Sequence, residues 1–454
     1  MAHIVIIGAG ISGLTTAWYL QKKGHRVTLL EKKSRAGGPI STVQEDGWIA
    51  EEGPGTLLEV SEHVRNLIQD AGLENEVLLS NPKAKKRFIA FQKKPVSLPS
   101  SIKSAISTPL LHWNSKLRFL KEPFIGPAKS EDETLADFVR RRLGAEALER
   151  FINPLVGGIY AGDPERLSAR YAFPRLWNLE QEHKSLIRGM MKGGPSKDPA
   201  RKEIPRNKAR IINFKKGLNQ LPESLSKKIE TVEFNAEVTK IRKKSTGFSV
   251  SYGEKEIDCD VLVYAGRATG FRNISLPKEI EDLKSLDQIV HPPVCVVHLG
   301  FRRSDIAHPL DGFGVLIPAV EKFDILGTQF NSSLFPNRTP GSDFVLTTSF
   351  VGGMRQPEMA HHSNPEELVL KNLTNLLGIK GKPVFSHHKL WPKAIPQYEM
   401  DYGKYALLMD DSEKALPGFY LAGNYRGGIS LGDSITNAVM LSERIDASLQ
   451  DSFI

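Results

Sequence analysis

Cysteine is nearly absent: Cys259 and Cys295 are the only two in 454 residues, far apart and without CxxC spacing. That argues against a disulfide framework and against a dithiol relay, and leaves two thiols expected to be buried. No apolar run reaches the eighteen residues that a membrane-spanning helix needs, so the chain is expected to be soluble or peripheral to a membrane. The first strand is expected to start by residue 3, so no signal or transit peptide of ordinary type is expected. Charge of one sign is not gathered into a tail. The 61 Lys and Arg residues exceed the 52 Asp and Glu residues and give a net charge of +9, but they are spread along the chain. This suits a carboxylated substrate, an anionic membrane surface or an ordinary solvated surface, and no motif supports a nucleic-acid partner. No metal site is expected, and no His or Cys catalytic constellation is visible. The length exceeds one compact core, so two or three domains are expected.

What is present begins at once. Ile4 to Gly13 reads IVIIGAGISG, an apolar β-branched run that breaks at Gly8 into GxGxxG (Gly8, Ala9, Gly10, Ile11, Ser12, Gly13) before a helical segment with Leu14, Ala17 and Trp18 on one face. The glycines allow a tight turn, a close approach of the backbone to a pyrophosphate and close packing of helix on strand, while the helix N-terminus supplies free N–H groups. The next strand, RVTLLE, ends at Glu31, twenty-one residues after Gly10, where a carboxylate accepts ribose hydroxyls. Lys32 and Lys33 follow, but a carboxylate there repels a 2′-phosphate, so FAD or NAD is favoured over NADP.

Arg35 to Thr42, RAGGPIST, decides between those two. With it the sequence resembles the flavoprotein superfamily of amine oxidases, phytoene desaturases and protoporphyrinogen oxidases, whose second motif is RxGGRxxT. Arg35, Gly37, Gly38 and Thr42 match, and Pro39 replaces the usual basic residue, so a contact from that side chain is lost. The resemblance implies FAD, bound non-covalently because no cysteine stands near the expected flavin site. It implies an α/β plus α fold: a Rossmann-like FAD/NAD(P)-binding domain of the GR2 type, an antiparallel-sheet substrate domain and an inserted helical domain. The expected divisions are 1–83, 211–268 and 385–454 for the FAD-binding domain, 84–98 and 269–384 for the substrate domain, 99–192 for the helical insert and 193–210 for a basic flexible loop.

Within the insert, Ile102 to Phe124 mixes Leu110, Leu111, Trp113, Leu117, Phe119, Leu120 and Phe124 with Lys103, Lys116, Arg118 and Lys121. Such a mixture suits a membrane-surface element, and equally helices that only cover their own core. Further on, Gly158 to Glu180 matches GxYAGDPxxLSxxxAFPxLWxLE, a string of protoporphyrinogen oxidases, to which GFGVLIP (Gly312–Pro318) and SFVGGMR (Ser349–Arg355) are also similar.

The family resemblance places flavin contacts at Gly8 to Gly13, Glu31, Lys32, Arg35, Gly37, Gly38 and Pro39. It adds the turn Gly53, Pro54, Gly55 and Thr56, then Val238 by the adenine, Trp391, Gly423, Asn424, Ile429, Ser430 and Leu431. A helix opening near Gly432 would aim its N-terminus at the flavin's pyrimidine edge. Substrate contacts are implied at Arg87, Gly158, Leu316 and Phe350, with Arg87 pairing a propionate. The implied activity is FAD-dependent oxidation of protoporphyrinogen IX to protoporphyrin IX, with six electrons passing to three O2 to give three H2O2. Coproporphyrinogen III is the alternative substrate, and an amine oxidase or a binding protein of the Rab GDP-dissociation inhibitor type are remoter ones. Further expectations are a membrane surface, a homodimer, hand-off to ferrochelatase, and a cytoplasmic, peripheral location (the mitochondrial inner membrane in a eukaryote).

Overall fold

A computed structural model describes residues 1–99, 101–128, 130–194, 198–205 and 208–451. Five short strands carry the dinucleotide motif. Side by side, Thr231–Glu233, Arg26–Leu30, His3–Ile7, Val261–Tyr264 and Phe419–Leu421 form a sheet in which every neighbouring pair is parallel. Such a sheet is covered on both faces, which is why its strands read as unbroken apolar runs. Helix Ile11–Lys22 and the C-terminal helix Leu431–Asp451 cover one face, with Leu14, Ala17, Leu20, Ile435 and Ile445 in one core. Val5, Ile7, Leu262 and Phe419 point to the other face, into a core shared with the small antiparallel sheet that starts at Val238 and with parts of the insert.

The second large sheet has seven strands. In order they are Phe385–Trp391, Val294–Arg302, Phe344–Gly352, Gly327–Phe330, Gly312–Leu316, Lys86–Phe91 and Lys94–Ser97. Two expectations are corrected here. The sheet is mixed rather than antiparallel, because Gly312–Leu316 runs parallel to Lys86–Phe91. And residues 385–391, assigned above to the FAD-binding domain, form an edge strand of the substrate sheet, paired with Val294–Arg302 from Trp391 to Phe385. One face of this sheet is closed by helix Pro365–Leu377, with Val369 and Leu373 against Phe88, Val297 and Val315.

The stretch 99–192 is helical as expected, and its inner end is anchored by buried charge. The side chains of Glu122, Arg142 and Glu180 are wholly buried, with Arg142 Nη1 3.2 Å from Glu122 Oε1 and its Nε bonded to Glu180. Removing Arg142 would leave the buried Glu122 carboxylate without its cation. The outer helix, Trp113–Lys121, buries none of its residues. Among the described residues no helix is long and apolar enough to cross a membrane.

For the basic loop, the expected flexibility of 195–197 and 206–207 lies outside the described residues. The part between is not a free loop: Arg201 pairs with Asp433 (3.2 Å) and donates to Asn437 Oδ1 (2.8 Å), while Arg175 reaches Glu203 (2.9 Å). Both cysteines are buried free thiols, as the sequence predicts.

Candidate cofactor and substrate site

The cradle forms where the His3–Ile7 strand turns into its helix. Gly8 N–H donates to Leu30 O (2.7 Å) and Ala9 N–H to the Glu31 carboxylate (2.8 Å), which also accepts from Lys33 N–H (2.9 Å). Glu31 is therefore buried at the ends of two parallel strands, at the crevice where such sheets bind ligands. Gly13 lies so close beneath the turn that a Cβ there would stand 2.0 Å from Gly8 O. Gly10 differs, because a Cβ on it meets no protein atom within 4 Å. Its bare Cα, at the helix N-terminus, opens onto the space that a pyrophosphate requires.

The second glycine motif folds onto the first. Gly37 N–H donates to Ala9 O (2.8 Å), and Arg35 donates to the carbonyls of Ala36, Ile40 and Gly38, each at 3.0 Å. Arg35 thus staples its own loop. Lys32 is exposed, and Pro39 presents its carbonyl to Gly53, where a Cβ would stand 2.1 Å away. Val238 is buried at the start of its strand, and nearby Ala236 N–H donates to Glu31 O (2.9 Å), so the segment expected at the adenine adjoins the residue expected at the ribose.

At the other end, Gly53–Thr56 lies against the seven-stranded sheet. Trp391 Nε1 donates to Glu52 O (2.6 Å), and a Cβ on Gly55 would stand 2.8 Å from Gln329 Oε1. Burial works to raise the Glu52 carboxyl, but hydrogen bonds from Ser41 (2.6 Å) and His387 (3.1 Å) and the charge of Lys389 outweigh it and hold the group below the usual carboxylate range. Beside this cluster His298 is wholly buried, and burial pushes its imidazole down to about 3, so it stays neutral. Gly432, opening the C-terminal helix, abuts Leu58 O, which brings Ile429, Ser430 and Leu431 alongside the strand that follows Thr56. Ser430 caps this helix by accepting from Asp433 N–H (3.0 Å). Tyr398 ties down the Gly423–Asn424 segment, donating to Asn424 O (2.7 Å) and accepting from Gly428 N–H (3.3 Å).

The expected substrate residues fall on one face of the seven-stranded sheet. Cross-strand partners share a face, and the register sets Ile89 opposite Leu316, Leu316 opposite Gly327, Gly327 opposite Phe350, and Phe350 opposite Val296. The result is an apolar row with a glycine at its centre. Phe350 packs with Val296, Trp391 and Ala161, so the row runs up to the expected flavin contact. Gly158, on helix Asn153–Tyr160, overlies Leu316, and a Cβ there would stand 2.6 Å from Leu316 Cδ2. Arg87 lies two residues before Ile89 on the same strand face, exposed, its guanidinium 5.6 Å from the Phe313 ring. Sequence reasoning missed Glu52, Gln329, His387 and Tyr398. Only Tyr398 carried a signal, as the end of the run WPKAIPQY that begins at the expected flavin contact Trp391.

These residues fit a flavin dinucleotide: an open glycine before a helix N-terminus, a buried strand-end carboxylate, and a far end walled by Trp391 and the Gly53 turn. Comparison with known proteins agrees. The family model described as flavin containing amine oxidoreductase matches residues 11–439. Protoporphyrinogen oxidase 2 of Arabidopsis thaliana is 34% identical over 99% of this chain and 94% of its own length. Coproporphyrinogen III oxidase of Bacillus subtilis (strain 168) is 30% identical over 95% of each. Among solved structures, a candidate protoporphyrinogen oxidase from Exiguobacterium sp. 255-15 superposes with a TM-score of 0.80 at 22% identity, covering 98% of this chain and 99% of that one, which establishes the fold. The chain is an FAD-dependent oxidoreductase and belongs to the flavin-containing amine oxidoreductases, among the protoporphyrinogen oxidases and their coproporphyrinogen-oxidising relatives.

Proposed function

We propose that the protein oxidises protoporphyrinogen IX to protoporphyrin IX, with dioxygen reduced to hydrogen peroxide. The observation that carries this is the row Ile89–Leu316–Gly327–Phe350–Val296, an apolar floor long enough for a macrocycle, lying between an exposed arginine and the Trp391 end of the cofactor crevice. Bound FAD supplies the hydride acceptor and the route of electrons to dioxygen. The chain's own residues orient the ring: Leu316 and Phe350 from below, Gly158 from above, Arg87 on a carboxylate arm. No protein base or nucleophile is required of them. The similarity to the Bacillus enzyme keeps coproporphyrinogen III as the second reading.

The test is direct. Purified protein should be yellow and release one intact FAD on heating or acid treatment, and it should form fluorescent protoporphyrin from protoporphyrinogen IX in air, with peroxide, faster than coproporphyrin from coproporphyrinogen III. The reverse order establishes the second reading, and colourless protein that FAD does not reconstitute defeats both.

The proposal extends to a membrane surface. Trp113, Leu117 and Leu120 are 65%, 55% and 70% exposed at i, i+4 and i+7 of one helix, and Phe124 just beyond is 84% exposed. Lys121 and Arg188 flank them, with Arg188 5.9 Å from the Phe124 ring. An apolar stripe rimmed by cations suits an anionic interface, where so apolar a product is best delivered. The protein is expected to float with anionic liposomes at low salt, and Trp113→Ser with Leu120→Ser to lose about ten-fold or more in partitioning without loss of flavin. Wild-type protein that stays in the soluble fraction would defeat this extension.

A further inference from the structure

Arg355 has no part in the site built so far. It ends the string SFVGGMR, just past strand Phe344–Gly352, and its donors can be counted. Nη1 donates to Asn153 Oδ1 (3.0 Å) and to Ile317 O (3.1 Å), and Nη2 to the same carbonyl (3.1 Å). Of the five guanidinium N–H groups, Nε–H is left without a partner and so is the second N–H of Nη2. Those two lie side by side on one edge of the plane, an edge that binds a carboxylate with two parallel hydrogen bonds.

The charge is as poorly matched as the donors. Among the described residues Arg355 forms no ion pair with a carboxylate, its partners being Asn153 Oδ1 and Ile317 O, although buried charges are normally paired. Burial pulls the group down to about 10, and the charge of Asp163 only partly opposes this. Gly157 lies over the Nη2 end of the guanidinium, where a Cβ would stand 2.8 Å from Nη2, 3.4 Å from Cζ and 3.8 Å from Nε. The next residue, Gly158, overlies Leu316 of the floor. One helical turn therefore covers both the apolar floor and the Nη2 end of a buried cation.

We infer that Arg355 is a second carboxylate-binding residue of this site, taking a propionate arm of the macrocycle on its Nε/Nη2 edge. The inference rests on the porphyrinogen reading. A ring that enters between Leu316 and Gly158 moves the helix off the sheet, and the same movement frees the space that Gly157 fills beside Nη2. The arm is thus engaged only when the ring is seated. Arg87 and Arg355 then hold two arms from different directions, the first at the exposed start of the Lys86–Phe91 strand and the second under the glycine helix.

The experiment titrates FAD-loaded enzyme with protoporphyrin IX, coproporphyrin III and their methyl esters by porphyrin fluorescence, with inorganic phosphate and acetate as competing small anions. Arg355→Gln is expected to weaken the free acids about ten- to a hundred-fold and to leave the esters within about two-fold. Arg355→Lys should restore part of the loss, because charge returns without the two-donor edge. Gly157→Ala is the variant that keeps Arg355 intact. It places a methyl against Nη2 at a helical position that favours alanine, so it should weaken the acids without lowering FAD content or thermal stability. Equal losses for acids and esters would make Arg355 a packing residue and overturn the inference, as would no loss at all. Phosphate or acetate displacing the acids at matching concentrations would assign the edge to small anions instead. Wild-type enzyme that neither binds nor oxidises any porphyrin species would show that the underlying reading had failed, a result distinct from each of these.

Discussion

Arg87→Ala is expected to lower kcat/KM for protoporphyrinogen IX about ten-fold to over a hundred-fold, chiefly through KM, with FAD content unchanged. Three observations set the direction. No hydrogen bond or ion pair engages the Arg87 side chain among the described residues, whereas its neighbour Lys86 is already held by Asp311 at 2.5 Å. The Phe313 ring, 5.6 Å away, steadies the guanidinium without using its donors. And the strand alternation that sends Phe88 into the core sends Arg87 to the face carrying Ile89 and Leu316. A charge-assisted, two-donor contact with a propionate contributes roughly 1.5 to 3 kcal/mol when partly shielded from water. Arg87 is exposed, so screening favours the lower part of that range unless the seated ring excludes water. Arg87→Lys should recover only part of the loss. An alanine variant that binds and oxidises both porphyrinogens like the wild type would make Arg87 a surface residue and move the pocket elsewhere.

The parts of this site that were legible in the sequence are those whose chemistry is local. GxGxxG, the strand-end Glu31 and the RxGG loop each need a fixed spacing within some forty residues, and the structure folds Gly37 onto Ala9 and Glu31 beneath Ala9 as that spacing implies. What escaped depends on pairings between distant segments. Lys86–Phe91 lies parallel to Gly312–Leu316 across more than two hundred residues, and no local pattern reports the direction of a partner that remote. Phe385–Trp391 hid for another reason. Its SHHKLW sequence is too polar to look like part of a core sheet, yet His387 and Lys389 point at Glu52, and the polar side chains are what fasten the sheet to the Gly53 turn. The segment around Arg201 looked unstructured by composition, and only the fold places Asp433 and Asn437 within its reach. Arginines were the least legible of all. Arg35 spends its donors on its own loop and Arg355 leaves two unspent, a distinction that rests on counting hydrogen bonds in three dimensions.

Gly10→Val should yield a folded protein with no flavin. Gly10 caps helix Ile11–Lys22 with φ −73° and ψ 174°, extended backbone that valine adopts readily, and a Cβ there meets no protein atom within 4 Å. The substitution therefore costs the apoprotein little. What it blocks is the approach of a pyrophosphate to the N–H groups of the helix start. FAD affinity is expected to fall at least about a hundred-fold, on the order of 2.7 kcal/mol, and the purified protein to be colourless. Ligand binding stabilises only the folded state, so the holoenzyme should melt above its own flavin-stripped form. The variant should melt with the stripped wild type and not respond to added FAD. Gly13→Val provides the contrast. Its Cβ would stand 2.0 Å from Gly8 O, a backbone clash that no rotamer relieves, so it should fail to fold whether or not FAD is supplied. A yellow Gly10→Val protein of normal activity would place the dinucleotide somewhere other than this crevice, and one that melts far below the stripped wild type would mean that Gly10 serves the backbone rather than the cofactor.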